Sequence, residues 1–287
     1  VSIGVPAYNE ERYFAETIES LLGFDYPNYE INITINGSTD RTGSIANKFA
    51  KQDCRIHLKI LQRNMGAITS FNDCFYRSKG KYFFWSGAHD LWDPSYIKKA
   101  INLLEVNKSL VCAYPQIMKI NEKGEKIGIM KDYHDTRGMC ATRRYCHIIW
   151  KVTSCNLIHG IYRRELLAKT PLFKTRWAPD LLIISDMALF GEFAQIQEPL
   201  FLRRYFRDTE TDNQQLKRTA TNLSNGQSVA SFHKHHQLLC KEHLIVIDKF
   251  YTNHFKKLYL HIMTRFAFFA RFYFRPIAKW LIKKGYF

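Results

Sequence analysis

The first 115 residues predict an α/β fold whose mainly parallel sheet is flanked by helices, and two observations carry that prediction. Short β-branched or aromatic runs alternate with stretches of helical apolar spacing. After each of the first four runs comes a cluster of polar, small or aromatic residues. Such alternation builds right-handed βαβ units, and sheets of this kind bind ligands beyond the carboxyl ends of their strands.

Taken in order, strands are expected at Val1–Val5, Ile31–Ile35, Ile56–Leu61, Lys81–Trp85 and Leu110–Tyr114. Helices are expected between them at Glu10–Leu22, Thr42–Lys51, Ala67–Ser78 and Pro94–Glu105. Asp93 would cap the last helix, with Pro94 at its first position. The strand ends read Pro6-Ala7-Tyr8-Asn9-Glu10-Glu11, Asn36-Gly37-Ser38-Thr39-Asp40, Arg63-Asn64-Met65-Gly66 and Ser86-Gly87-Ala88-His89-Asp90. A ring to stack a base, small residues for close backbone approach and a metal-capable pair suit a nucleoside diphosphate. Neither GxGxxG nor GxxxxGK[ST] occurs, which removes support for a dinucleotide or P-loop site.

Composition sets the outer limits. The 287 residues are 46% hydrophobic and 24% charged, which excludes a disordered tail, a fibre or a small disulfide scaffold. A net charge of +16 and 15% aromatic content fit anionic substrates, anionic lipid or nucleic acid. Seven scattered cysteines without a CxxC pair point to reduced thiols and a cytoplasmic setting. No run reaches the roughly 18 uninterrupted apolar residues of a spanning helix.

VPAYNEE, INGSTDRTGSIA, RNMGAITSFNDCFYRSKGKYFFW, AHDLWDP, NLIHGIYRRELL and PDLLIISDMALFGEFAQIQEPLFLRR occur in that order over residues 1–207. Together they resemble a family 2 glycosyltransferase of the GT-A fold, a mixed, mainly parallel sheet flanked by helices. The resemblance implies a domain over 1–210, with a nucleotide-sugar half (1–115) and an acceptor half (116–210), then a C-terminal helical extension over 211–287. It implies that Pro6, Ala7 and Tyr8 line the base and ribose pocket and that Glu10 and Asn36 lie near the nucleoside. Asn64, Gly66 and Asn72 would shape the diphosphate pocket. His89 and Asp90 fall on the metal-binding loop, and Asp180 on the catalytic base.

The implied reaction is an inverting transfer from a nucleotide-sugar, expected to be a UDP-sugar, to a saccharide or lipid-linked acceptor for a surface polysaccharide. A Mn²⁺ or Mg²⁺ ion would offset the charge of the departing diphosphate. Four positions depart from the family pattern: Ile35 and Phe206 replace polar residues, and Gly87 and His89 replace both acids of Asp-x-Asp. The altered loop leaves open a non-catalytic relative that binds a nucleotide, a glycan or a partner.

Plainer readings stand beside several of these residues. Asp180 could cap its own helix, and Asp186 suits a structural or acceptor-orienting role. Asp40 reads as the cap of the second helix. Arg203 and Arg204 could meet the diphosphate or form a solvated basic face, and Tyr8 could be a core aromatic. His233, His236, Cys240 and His243 share one helix face, which could hold a metal or simply pack.

After Asp248 there is no acidic residue, while nine Lys or Arg residues interleave with eleven of the thirteen aromatics that follow it. That pattern suits an anionic membrane surface and a peripheral enzyme on the cytoplasmic side. Docking on the catalytic domain or on a dimer partner is the competing reading. A nucleic-acid role rests on charge alone, with no accompanying motif. Pro276 is expected to break or kink the segment.

Overall fold

The computed structural model describes residues 1–152, 154–174, 178–205 and 232–283. The first half follows the expected alternation: β1 Ser2–Ala7, α1 Phe14–Leu22, β2 Glu30–Asn36, α2 Thr42–Gln52, β3 Ile56–Leu61, α3 Ala67–Arg77 and β4 Tyr82–Trp85. A short β5 Leu91–Trp92, α4 Tyr96–Val106, β6 Leu110–Ile120 and β7 Lys126–Ile129 follow. The second half holds α5 Ala141–Lys151, a 3-10 turn Asn156–His159, β8 Ile161–Arg163, α6 Arg164–Leu167, α7 Pro179–Phe190 and β9 Glu192–Arg204. Two long helices close the chain, α8 Phe232–Phe250 and α9 His254–Lys283.

The strands form one mixed sheet in the order β3-β2-β1-β4-β8-β6-β9-β5, with β7 paired to β6. β1, β2, β3 and β4 run parallel, as do β6 and β9, while β8 enters antiparallel between β4 and β6. The successive Phe83, Phe84 and Trp85 show why helices cover both faces. Phe84 packs with Phe14, Ile18 and Tyr96 from α1 and α4, while Phe83 and Trp85 pack with Phe75, Ile184 and Met187 from α3 and α7. The side chains of a strand alternate faces, so three consecutive aromatics need apolar cover on both sides.

α7 is buried without a break from Leu181 to Leu189, apolar there except for Ser185 and Asp186, because the sheet lies on one side and the C-terminal helices on the other. Leu260 and Ala267 of α9 join Tyr145, Ile149, Leu189 and Ile247, and Phe268 joins Leu182 and Leu239. The domain boundary expected at 210/211, and Phe206, lie outside the described residues.

Three local expectations are corrected. α1 starts at Phe14 rather than Glu10, because the backbone amides of Glu10 and Glu11 bond instead to Thr42 and Asp40. Pro94 sits in a turn ahead of α4, where the Asp93 carboxylate takes the Ser95 N–H at 2.9 Å and the helix starts at Tyr96. α9 runs unbroken through Pro276: a proline deletes one backbone bond, and the bonds on either side carry the helix past it.

Candidate functional site

The carboxyl ends of β1 to β4 are tied to one another by side chains. Pro6 and Ala7 are buried inside β1, and Tyr8 is the first side chain to leave the sheet, 41% exposed rather than packed in the core. Asn9 follows at φ 53°, in the left-handed region that asparagine tolerates. There its Oδ1 accepts the Thr39 N–H at 2.9 Å and its own N–H donates to Ser38 Oγ at 3.1 Å. Asp40 takes the N–H of Thr42, the first residue of α2, and that of Glu11, so the expected cap also clamps the β1 loop.

Asn36, Asn64 and Gly66 form a single hydrogen-bonded unit. Asn36 Nδ2 donates to Asn64 Oδ1 at 2.9 Å, and its Oδ1 accepts the Met65 N–H. Asn64 Oδ1 also takes the Gly66 N–H at 2.8 Å. The two loops meet so closely that a Cβ on Gly37, at φ +64°, would lie 2.2 Å from the Arg63 carbonyl carbon. The side chain of Ile35 is in the core, so it offers no polar group at the position where the family has an acid.

At the end of β4, His89 Nδ1 lies 3.0 Å from Glu10 Oε1, and its Nε2 faces Asp90 Oδ1 at 4.0 Å. Asp90 is buried, and its Oδ1 accepts the Arg204 N–H at 2.8 Å. Its Oδ2 fills the place a side chain at position 87 would need, since a Cβ there would come within 2.4 Å. Glycine in place of the family's first acid is therefore what lets this carboxylate fold inward.

Arg204 is on neither a solvated face nor the diphosphate edge. Its side chain is 1% exposed, pairs with Glu16 at 2.7 Å and lies over the Tyr13 ring. It also donates to the carbonyls of His89, Asn121 and Glu122, latching the loop to β9 and α1.

Across the sheet edge, Asp180 opens α7 beside Ala178, which holds φ 47° immediately before Pro179. A left-handed alanine stores strain, which collects at functional sites. Burial raises the pKa of Asp180 above the ordinary carboxylate value, and the Leu181 N–H on its Oδ1, at 3.0 Å, works against that rise. Asp180 is the second residue of α7 and Ala178 holds the cap position without a side-chain bond, so the expected capping role is not met. Nearby, Asn156 Oδ1 accepts from Arg203 while its Nδ2 donates to Asp132, which pairs with His134 at 2.6 Å.

Among the other expected residues, Asn72 has both ends of its amide on the backbone of Phe173, bonding the N–H at 3.1 Å and the carbonyl at 2.9 Å. It braces the loop ahead of α7 from α3. Asp186 faces the other way, toward Lys174 and Glu242. His243 is buried against Tyr145 and Ser185, Cys240 is partly buried, and the side chains of His233 and His236 lie outside the described residues.

His159 carries chemistry that sequence reasoning passed over. Its Nδ1 bonds the Trp85 carbonyl at 2.8 Å, which fixes the proton on that nitrogen. Burial lowers its pKa to about 4, leaving a neutral imidazole within electrostatic range of Asp90 and Arg203. The nearest sequence signal is the following Gly160, where a Cβ would strike Cys112 Sγ at 2.4 Å.

A mixed sheet with helices on both faces and a polar cluster at the strand ends is the GT-A architecture of nucleotide-sugar transferases. The family model for Glycosyl transferase family 2 matches residues 2–170, and the chain belongs to that family. An uncharacterized glycosyltransferase of Haemophilus influenzae is 37% identical over 139 residues, which cover 47% of this chain and 42% of that one. A putative teichuronic acid biosynthesis glycosyltransferase of Bacillus subtilis, TuaG, is 32% identical over 104 residues, covering 36% and 41%. The chain thus spans about two fifths of each of these relatives.

Among solved structures, S. aureus TarS 1–349 in complex with UDP-GlcNAc superposes with a TM-score of 0.69 at 18% identity, covering 95% of this chain and 74% of that one. The Pyrobaculum calidifontis mannosyltransferase PcManGT, in complex with GDP-Man and Mn²⁺, gives 0.55 at 15% identity, covering 99% and 79%.

Proposed function

We propose that the chain transfers a sugar, with inversion, from a nucleotide-diphosphate donor to a hydroxyl of a saccharide or lipid-linked acceptor. The observation that carries this is the pairing of a braced strand-end pocket (Tyr8, Asn36, Asn64, Gly66) with a half-buried carboxylate, Asp180, at the start of α7. Asp180 takes the proton of the acceptor hydroxyl as that oxygen bonds to the anomeric carbon. The bond from that carbon to the diphosphate oxygen breaks as the new one forms, and the nucleoside diphosphate leaves with the electron pair. A base needs a pKa near the working pH, and burial moves Asp180 in that direction.

Glu10 on His89 Nδ1 is the carboxylate–histidine pairing that orients an imidazole for a metal. Among the described residues no group of three or more His, Cys, Asp or Glu is set to hold an ion. His89 and Asp90 fit a Mn²⁺ or Mg²⁺ as two protein ligands, a number suited to an ion that substrate phosphates complete. Bound there, the ion would neutralise charge on the departing diphosphate. The TarS and PcManGT complexes support a nucleotide-sugar donor, with a UDP-sugar as the first choice. TuaG supports a surface polysaccharide as the product. Among the described residues no helix is long and apolar enough to cross a membrane, and we place the enzyme peripherally, on the cytoplasmic side.

The test is calorimetric titration of the chain with UDP-GlcNAc, other UDP-sugars and GDP-mannose in Mn²⁺, Mg²⁺ or EDTA. Saturable binding of one donor, weakened by EDTA and by His89→Ala, is expected. Failure of every nucleotide sugar to bind would overturn the proposal.

A further inference from the structure

α9 has two apolar faces: one packs on the protein, and the other meets it only along one edge, where Phe266 lies 5.7 Å from the Trp150 ring of α5 and Tyr259 reaches Cys146. At about 100° per residue, Leu260, Thr264, Ala267, Phe268 and Arg271 fall on one side, where the first four are buried and Arg271 donates to the carbonyls of Ile149 and Val152. Phe255, Leu258, Tyr259, Ile262 and Phe266 fall on the opposite side. All are exposed, Phe255 by 85% and Ile262 by 58%. A packed helix ordinarily turns polar residues outward, so a second apolar stripe of bulky side chains on a well-anchored helix needs a further explanation.

The charges beside the stripe narrow the choice of occupant. Lys256 borders it on one side and Arg265 on the other, both exposed. α9 contains no acidic residue, and none follows it. A second copy of this chain, itself at +16, would bring like charges against those flanks. An anionic bilayer satisfies both features at once, taking the apolar stripe into the headgroup–acyl boundary and the cations onto lipid phosphates.

We propose that the outer face of α9, centred on Phe255, Ile262 and Phe266 and flanked by Lys256 and Arg265, is a docking surface for anionic lipid bilayers. The helix would lie in the plane of the interface, with its inner face fixed to α5 and α8, so that docking holds the catalytic domain at the membrane surface. The inference deepens the peripheral placement proposed above and rests on it for the side of the membrane. Vesicle binding is scored without turnover, so either reading can fail while the other stands.

The test is flotation of the full chain with phosphatidylcholine vesicles, with and without phosphatidylglycerol. Phe255→Ser/Ile262→Ser and Lys256→Glu/Arg265→Glu are compared with the wild type. Melting temperature and donor binding serve as the check that these exposed substitutions leave the fold intact. The wild type is expected to float with the anionic vesicles only and to be released by high salt. Each double variant should partition at least about tenfold less. A wild type that stays unbound, that floats equally with neutral vesicles, or that is matched by both variants would overturn the proposal. So would a dimer in sedimentation that Phe255→Ser/Ile262→Ser dissociates, since a second copy would then be the occupant.

Discussion

The strand-end edge and the helical half of this protein use polar side chains in opposite ways. At the edge, Asn9, Asn36, Asn64 and Asp40 bond mostly to loop backbone, and these few small side chains hold three loops in register. Between α5, α7, α8 and α9, polar groups are sealed inside apolar packing. Tyr145 lies 3.2 Å from His243 and 3.3 Å from Thr264, and Ser185 lies 3.1 Å from His243. Burial there raises Asp186 to about 8 and lowers His243 to about 3. Among the described residues nothing hydrogen-bonds Asp186 Oδ1. Edge polarity fixes the geometry of the strand-end loops, whereas buried polarity makes the stability of the helical half depend on pH.

That contrast can be broken by substitution. The largest stability effect is expected at Arg204, whose buried side chain latches the loop after β4 to β9 and α1. Arg204→Met leaves the carbonyls of His89, Asn121 and Glu122 without their donor and should cost about 3 kcal/mol. Chemical denaturation measures the loss, and hydrogen exchange should place it in the Gly87–Asp90 loop and the end of β9 rather than in α8 and α9. Gly87→Ala comes next, at about 2 kcal/mol, because the added methyl must push Asp90 Oδ2 aside. Donor affinity, followed by calorimetry, should fall with it.

The smallest effect is a pH slope. Asp186 binds its proton more tightly folded than unfolded, so between its ordinary value of 3.8 and about 8 stability falls as pH rises. His243 works in reverse: between about 3 and 6.5 the unfolded chain binds more protons, and stability is lost as pH falls. The two oppose each other in mildly acidic solution, and above pH 6.5 only the aspartate acts. Asp186→Asn should therefore flatten a decline of at most about 1.4 kcal/mol per pH unit near neutrality. Thermal melts from pH 5 to 9 measure it, and an unchanged slope would remove Asp186 as its source.

The same contrast explains what could be read from the sequence. The strand ends were legible because each cluster is contiguous, and the partners Asn36, Asn64 and Gly66 all lie within those clusters. Arg204 was not, because its role depends on Glu16 and Tyr13, far away in the chain, and a pair of arginines reads equally well as a basic face. His159 was hidden for a like reason: its proton is fixed by the carbonyl of Trp85. The start of α1 and the passage of α9 through Pro276 were set by loop bonding and by the helix on either side, neither of which local propensity expresses. In the tail, the aromatic count was visible from sequence, but its division into a buried and an exposed face needed α5 and α8 in place.

The central claim is that Asp180 is the base of a sugar transfer, and single-turnover kinetics with the donor found by calorimetry tests it most directly. Asp180→Asn should bind that donor as the wild type does and transfer its sugar about 10²- to 10⁴-fold more slowly. The wild-type rate should fall on the acid side at a pH above the ordinary carboxylate value, as the raised pKa of Asp180 requires. A variant that transfers sugar at the wild-type rate would contradict the account and leave Asp180 as an acidic residue of the first turn of α7 alone.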